Sequence, residues 1–378
     1  MAIKAAFTLT ANEIYESLAN MIISQEVFAD NLGNHQTLVD KARVEGGLFG
    51  DTKLYYSTDV LESHAWGNDA EAANLLELAR PDDPEVQAIK LDKFRQIRLT
   101  LDNYMTKRAF ADEGSFSQFN GVMLGWIAET KKVYDGTLYN VFIGTTESSV
   151  GSQMQSVDVS TARGSASSEE EANRLEAEAI AQKIANLLVE MGDYSRAFND
   201  YAFLRSYSGE SIKVIWNSER LNKIKKVDLP TIFNKEGLVD KMDEEVLPAK
   251  YFGRAVSESD IGAGKIIGAD GAYDSTKGTL RAKAEFVYNS KHYFPGDALA
   301  TSGTYVAVVG GLEASQVYIE DPSVICKVLV KLPPLMSAFE VGTTFWNPRA
   351  LCENHYLTFG HNTLAYLKNY PFITVKAI

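Results

Sequence analysis

Long stretches of regular hydrophobic spacing predict three long elements. Between residues 115 and 146 apolar side chains recur at steps of three and four, which predicts one helix of roughly 30 residues. Polar and apolar residues alternate along Val86–Tyr104, which predicts a strand. A second helix is predicted over 168–191, where Ser168 begins a capping box and Gly192 ends the apolar stripe.

The long predicted helix contains glycines, which are costly within a helix. Each destabilises it by about 0.5–1 kcal/mol relative to alanine. Because Gly121 and Gly125 share a face one turn apart, we expect another strand or helix to approach closely there, beside Trp126. Gly121→Leu should then damage folding more than Lys131→Ala, a position expected to be exposed. The alternative is a helix broken at Gly125 or Gly136.

The region before the long helix predicts a helix and a hairpin arm. Residues 10–28 begin with a capping box and continue as an amphipathic helix. Residues 51–60 are strand-like and precede the strand at Val86–Tyr104, with a charged connection closed by Arg80–Pro84. This connection is longer than a tight turn requires, so it predicts an extended hairpin. The apolar stripe of the first helix is Ile14, Leu18, Met21, Ile22 and Val27.

The region after the long helix predicts a linker followed by mixed α/β structure. Residues 147–168 are rich in Ser, Gly and Thr, which is typical of a mobile linker or surface loop. From about residue 200 short strands alternate with turns, and Asn217 or Ser218 is a candidate helix cap. Trp216 and Trp346 are expected to pack at strand ends. The predicted strands are 212–216, 305–309, 316–319, 324–330 and 372–375.

Composition narrows the class of protein. The 378 residues contain 45% hydrophobic and 23% charged positions, as an ordinary globular protein does, and suffice for two or three domain-sized units. The net charge of −13 argues against a dedicated nucleic-acid binder, which needs a basic face. Two cysteines are too few for a disulfide framework and suit a reducing cytoplasm. Neither a signal peptide nor a transmembrane helix is expected.

The motifs that could carry chemistry do not reach a recognised pattern. Residues 262–268 lack the spacing of a phosphate-binding loop, and 268–278 lack that of a calcium-binding loop. The segment 352–361, with Cys352 and His361, is the densest group of metal-ligand residue types, but its spacing is atypical of zinc sites. We therefore predict no catalytic, cofactor or metal site. A metal-dependent or hydrolytic α/β enzyme using this segment remains an alternative.

The order of predicted elements resembles that of the major capsid proteins of tailed bacteriophages, which share the Hong Kong 97 capsid fold. Three segments, 211–226, 304–329 and 347–367, are similar to the axial and returning strands of that family. The Tyr-, Phe- and Asn-rich texture is closest to short-tailed, picovirus-type phages (podoviruses). The resemblance implies an α+β fold. Its parts would be an N-terminal arm (1–40), an extended hairpin loop (41–104), a peripheral domain (105–200 and 311–378) with a spine helix at about 115–146, and an α/β axial domain (201–310).

The same resemblance implies a structural function. The chain would be a major head protein, not an enzyme, whose pentamers and hexamers self-assemble into an icosahedral shell around double-stranded DNA. Its partners would be further copies of itself, a scaffolding protein and a portal, with only non-specific proximity to DNA, no membrane and no cofactor. It would assemble in the host cytoplasm and reside in the virion head. An encapsulin-like nanocompartment shell is the alternative within this fold. The expected inter-subunit contact residues are Ile14, Leu18, Met21, Ile22, Tyr55, Tyr56, Trp66 and Phe94.

Overall fold

The computed structural model describes residues 37–45, 52–61, 63, 80–102, 113–225, 243–256, 278–288, 290–299 and 316–378. The predicted helix at 10–28, the predicted strand at 305–309 and Trp66 lie outside these residues. The helices are α1 (Thr37–Ala42), α2 (Glu113–Thr145), α3 (Val159–Gly164), α4 (Glu169–Gly192) and α5 (Ser218–Lys225). The strands are β1 (Arg43–Glu45), β2 (Thr52–Ser57), β3 (Glu85–Leu101), β4 (Met154–Val157), β5 (Lys213–Asn217), β6 (Asp243–Leu247), β7 (Gly253–Ala255), β8 (Leu280–Ala282), β9 (Phe286–Tyr288), β10 (Lys291–Tyr293), β11 (Val317–Glu320), β12 (Val324–Leu329), β13 (Leu335–Asn347), β14 (Cys352–Asn362) and β15 (Phe372–Ala377).

Helix α2 is continuous over 33 residues, about 50 Å at 1.5 Å per residue. The predicted long helix is therefore confirmed, and a break at Gly125 or Gly136 is wrong. Its second half is buried, as Tyr139, Val141 and Ile143 show. The part of its first half whose side chains are described, from residue 121 on, is largely exposed.

Five strands form the core sheet, in the order β4-β15-β12-β5-β6. Apolar residues on one face pack against the stripe of α4, including Ile180, Ile184 and Leu187. Residues on the other face pack against α1 and the second half of α2, through Tyr139 and Ile143. Strand β12 is buried along its whole length, because helices cover both faces of the sheet. Among the described residues, the two largest hydrophobic clusters therefore lie on either side of this sheet.

The core sheet combines strands from the ranges expected for the peripheral and the axial domain, and the domain boundaries stay a prediction. Strand β5 lies in the range assigned to the axial domain, whereas β4, β12 and β15 lie in the ranges assigned to the peripheral domain. Yet β12 pairs with both β5 and β15 along the same sheet. Boundaries at 201 and 311 would therefore divide one hydrogen-bonded unit, because its five strands come from five separate parts of the chain.

A second sheet contains the longest strands, in the order β1-β13-β14-β3-β2, and we call it the long-strand sheet. Strand β3 has 17 residues, about 56 Å at 3.3 Å per residue. It pairs antiparallel with β2 over its first six residues and with β14 over its remainder. The predicted pairing of the two strands of the hairpin arm is confirmed. Two smaller sheets, β7-β11-β8 and β9-β10, complete the described sheets.

The segment 147–168 is more ordered than its composition suggests. It contains β4, which pairs in parallel with β15, and the short helix α3. Asp158 caps α3, its side chain accepting a hydrogen bond of 2.8 Å from the Thr161 amide. The prediction of a mobile linker is therefore wrong over 154–164, because pairing with β15 orders a sequence that has weak local preferences.

Candidate subunit interface

One face of the hairpin arm is apolar and open. Side chains alternate along a strand, and the even-numbered residues of β3 that pair with β2 are exposed. On this face Tyr56 lies opposite Val86, and Leu54 lies opposite Ala88. Tyr56 is 64% exposed, and Leu54 and Val86 are also among the exposed large apolar residues. We call Leu54, Tyr56 and Val86 the outer apolar face.

The two adjacent tyrosines predicted as contact residues have different surroundings. Tyr56 belongs to the outer apolar face, whereas Tyr55 points to the other face and is partly buried. The Lys331 amine lies 5.8 Å from the centre of the Tyr55 ring, and burial raises the pKa of Tyr55. Of the pair, Tyr56 is the residue available to another molecule.

Phe94 lies farther along β3, beyond a register shift between Leu91 and Lys93 that reverses the alternation of side chains, so it shares a face with Leu91 and not with Val86. Its backbone neighbour on β14 is Gly360, and a Cβ added to Gly360 would lie 3.1 Å from the Phe94 ring. Glycine on β14 therefore leaves room for the ring, which remains 60% exposed. Any larger residue at 360 would push Phe94 farther from the sheet.

The turn joining β13 and β14 is a further exposed apolar region. Phe345 and Trp346 point to opposite faces of β13, and both are exposed, as is Leu351 after the turn. The expectation that Trp346 packs is therefore wrong, whereas Trp216 is buried as expected. The sequence signal that could have revealed this site is the pair of adjacent aromatic residues, which places an apolar side chain on each face of one strand.

The first half of α2 also exposes apolar groups. Trp126 is 51% exposed, and Leu124 is exposed beside it. No described atom lies within 4 Å of a Cβ added to Gly121 or Gly125. The described part of the subunit therefore does not supply the close neighbour that we expected at these glycines. That contact stays a prediction for an approaching second molecule.

Lys131 marks where α2 meets the long-strand sheet. It is 6% exposed, and its Nζ donates a hydrogen bond of 3.0 Å to Glu340 on β13. It also lies 3.6 Å from the Asp135 carboxylate, which Arg43 approaches to 3.3 Å. Burial raises the pKa of Asp135, and the two cations oppose that rise. The expectation that Lys131 is exposed is wrong, because the sheet covers this side of the helix.

One turn further along α2, an aromatic cluster continues the contact. The Tyr134 hydroxyl and His361 Nε2 are 2.8 Å apart, and Phe359 packs edge-on against the Tyr134 ring. The Arg95 guanidinium lies 5.0 Å from the centre of that ring and pairs with Glu285 at 2.8 Å. Burial lowers the pKa of His361, which favours its neutral form. These contacts fix the long helix to β3 and β14.

The segment proposed as an alternative metal site forms β14. Its alternate side chains point to opposite faces, so His361 joins the Tyr134 cluster while Cys352 is buried at the turn end of the strand. Across the described residues, no three His, Cys, Asp or Glu side chains are grouped closely enough to hold a metal ion. Nor is any described helix long and apolar enough to cross a membrane.

The fold defines a class of protein. The chain is similar to a capsid structure of Staphylococcus phage Andhra, with a TM-score of 0.57 and 11% identity over 93% of this chain and 87% of the other. It is also similar to a structure of the head fiber and inner core protein gp22 of native bacteriophage P68, with a TM-score of 0.59 and 11% identity over 94% and 88%. The architecture is the α+β, Hong Kong 97-like fold of phage capsid proteins.

The sequence identifies the family within that class. The family model of the Phi29-like phage major capsid protein matches residues 2–320, and the chain belongs to this family. No curated protein matches it. It is a major capsid protein, many copies of which form the shell of a phage head. Membership favours the phage shell over the alternatives of a nanocompartment or a hydrolase.

Proposed function

We propose that neighbouring copies cover the outer apolar face when the shell forms. The observation that supports this is the exposure of Leu54, Tyr56 and Val86 side by side on paired strands. Contiguous exposed apolar surface on a soluble protein marks an interaction site. Aromatic residues such as Tyr56 are also enriched where interfaces gain most of their binding free energy.

The test replaces apolar groups on this face and measures assembly. Tyr56→Asp combined with Val86→Asp should leave a folded subunit, because exposed substitutions usually change stability by less than about 0.5 kcal/mol. Shell yield should fall about tenfold or more, since a buried interface residue contributes about 2 kcal/mol. Tyr194→Asp is the matched control, because Tyr194 is 75% exposed and lies beyond the end of α4.

Negative-stain microscopy and sedimentation measure the outcome. The proposal requires normal shells from the Tyr194 variant and few from the double variant. Shells of ordinary yield and shape from the double variant would show that the outer apolar face is not an interface. Circular dichroism and urea unfolding of both proteins would separate an assembly defect from a folding defect.

The remaining parts of the function are also proposals. We infer pentamers and hexamers in an icosahedral shell, assembled in the host cytoplasm with a scaffolding protein and a portal. The role is structural rather than enzymatic. The net charge of −13 supports only weak, non-specific proximity to packaged double-stranded DNA, since strong phosphate binding needs Lys and Arg.

Contacts by the arm and the hairpin tip belong to the same proposal. Ile14, Leu18, Met21, Ile22 and Trp66 are its candidates there, outside the described residues. Deleting residues 66–80 should leave a folded subunit that does not form shells. Normal particles from this deletion would rule out an essential role for the hairpin tip.

A further inference from the structure

A cleft of about 730 Å³ lies beside the contact between α2 and the long-strand sheet. Its cationic lining residues are Lys93 and Arg95 on β3 and Lys283 just after β8. His361 on β14 also lines it, with burial favouring its neutral form. No Asp or Glu is among the described residues that line it, although acidic residues outnumber basic ones, 50 to 37, in the chain as a whole. We call it the basic cleft. Its apolar lining includes Phe94, Leu138, Val141, Phe142, Leu364 and Ala365.

The charges in the basic cleft are incompletely neutralised. Arg95 pairs with Glu285, but within the described residues Lys93 and Lys283 form no ion pair. Burial lowers the pKa of Lys283, so its charged form lacks the stabilisation that an anion would supply. An anionic group entering the cleft would therefore interact favourably with two lysines.

The apolar lining restricts the kind of anion. A nucleic-acid backbone would use the lysines but leave Leu138, Val141 and Phe142 uncovered. An acidic segment with an apolar stripe would satisfy both parts of the cleft, in the way that amphipathic helices fill grooves.

We propose that residues 10–30 of the same chain dock in the basic cleft, with Glu13 and Glu16 near Lys93 and Lys283. This segment has four acidic residues and no Lys or Arg. Its sequence pattern predicts a helix with an apolar stripe that includes Ile14. The negative charge of the segment is therefore complementary to the lysines of the cleft, and its apolar stripe is complementary to the apolar lining.

The start of the described chain favours docking within one subunit. Helix α1 packs against the second half of α2, in the same apolar cluster as Phe142, which also lines the cleft. The six residues 31–36 can span up to about 20 Å when extended. That distance is enough to pass around part of a helix about 10 Å in diameter.

Docking of this segment would affect shell assembly. This consequence rests on the proposed function, in which the same segment contacts neighbouring copies. The apolar stripe that docks in the cleft is the one expected to contact neighbouring subunits. Held in the cleft, Ile14 and Leu18 would be withheld from those contacts until the arm is released. The docking itself can be tested on subunits that have not assembled, whether or not the outer apolar face forms shells.

Hydrogen exchange of the full-length chain, measured in dilute unassembled subunits, tests the docking. Residues 10–30 should exchange slowly in the native sequence. The Lys93→Glu and Lys283→Glu double variant should lose protection there by about tenfold, as expected when two charged contacts worth about 1.4 kcal/mol in total are removed. Lys90→Glu is the matched control, since Lys90 lies on β3 but does not line the cleft.

A charge exchange provides the second arm of the experiment. Glu13→Lys with Glu16→Lys should also lose protection over 10–30, and these positions lie outside the described fold. Combining all four substitutions should restore protection. Unchanged protection in either double variant would overturn the proposal. Two further results would also overturn it. Protection of residues 10–30 that rises with subunit concentration would indicate that the segment of a second copy docks in the cleft. Protection of the cleft by short duplex DNA would indicate a nucleic-acid site.

Discussion

Gly144→Ala is a sharp test of how the long helix packs on the rest of the subunit. A Cβ at position 144 would lie 2.1 Å from the Tyr251 carbonyl oxygen and 2.6 Å from its carbon. Ordinary contact begins near 3.4 Å, so about 1.3 Å of separation must open between two backbone segments. Overpacking usually costs about 1–3 kcal/mol, and we expect the upper end because backbone yields less readily than a side chain.

Gly125→Ala is the same substitution in the same helix, but we expect it to raise the free energy of unfolding rather than lower it. No described atom would lie within 4 Å of the new Cβ. Removing a glycine from a helix interior should then stabilise the subunit by about 0.5–1 kcal/mol. Replacing Gly144 with alanine also brings this gain in helix stability, which partly offsets the cost of the steric overlap there. The expected net loss of stability for Gly144→Ala is about 2 kcal/mol, or roughly thirtyfold in the folding equilibrium.

Urea unfolding of soluble subunits, followed by tryptophan fluorescence, measures both changes. A Gly144→Ala subunit as stable as the native one would refute the contact with Tyr251. A destabilised Gly125→Ala subunit would show that some part of the same chain does lie against this face. If a neighbouring copy packs there instead, Gly125→Ala should give more stable subunits but fewer shells.

Three further perturbations address the buried charges. Lys131→Ala should destabilise the subunit by about 1–2 kcal/mol in urea unfolding, because it breaks the pair with Glu340 and removes one of the two cations beside the buried Asp135 carboxylate. A neutral result would mean that these pairs contribute nothing. Glu176→Gln should cost about 2–3 kcal/mol, since the buried carboxylate joins two arginines at 2.7 and 2.9 Å, and an unchanged melting temperature would contradict this. Burial lowers the pKa of Lys327 to about 7, so above that pH the unfolded chain binds one more proton than the folded one and stability should rise with pH, by up to about 1.4 kcal/mol per unit. The rise in stability should be absent in Lys327→Met. It should end near pH 8.5, because the Cys326 thiol ionises at about that pH in the unfolded chain, whereas burial raises the thiol pKa in the folded chain. Equal pH profiles of stability for the two proteins would refute the assignment to Lys327.

Elements set by local sequence were predictable. Helix α4 begins where the Ser168 side chain accepts a hydrogen bond from the Glu171 amide, as the capping box predicts, and it ends at Gly192. At the start of α5, the Glu219 amide donates to the Asn217 side chain, one of the two predicted caps. Such signals need only neighbouring residues, so they are visible without tertiary structure.

The contacts that organise the candidate interface were not predictable in the same way. Lys131 is buried because β13 brings Glu340 across it from more than 200 residues away. Tyr55 and Tyr56 are adjacent in sequence, and only the pairing of β2 with β3 decides which of them faces outward. A slip of one residue in that register would exchange them. Strand register and long-range ion pairs depend on the whole fold, whereas hydrophobic spacing does not specify them.

The distribution of burial along α2 connects the fold to shell formation. From Tyr139 to Thr145 the helix is anchored in the core beside the core sheet, and near Tyr134 it is fixed to the long-strand sheet. Before that point it exposes Leu124 and Trp126. The helical backbone hydrogen bonds continue from the packed half into the exposed half without a break. We therefore predict that Leu124 and Trp126 contact a neighbouring copy in the shell, and that this contact costs little ordering because the segment is already helical.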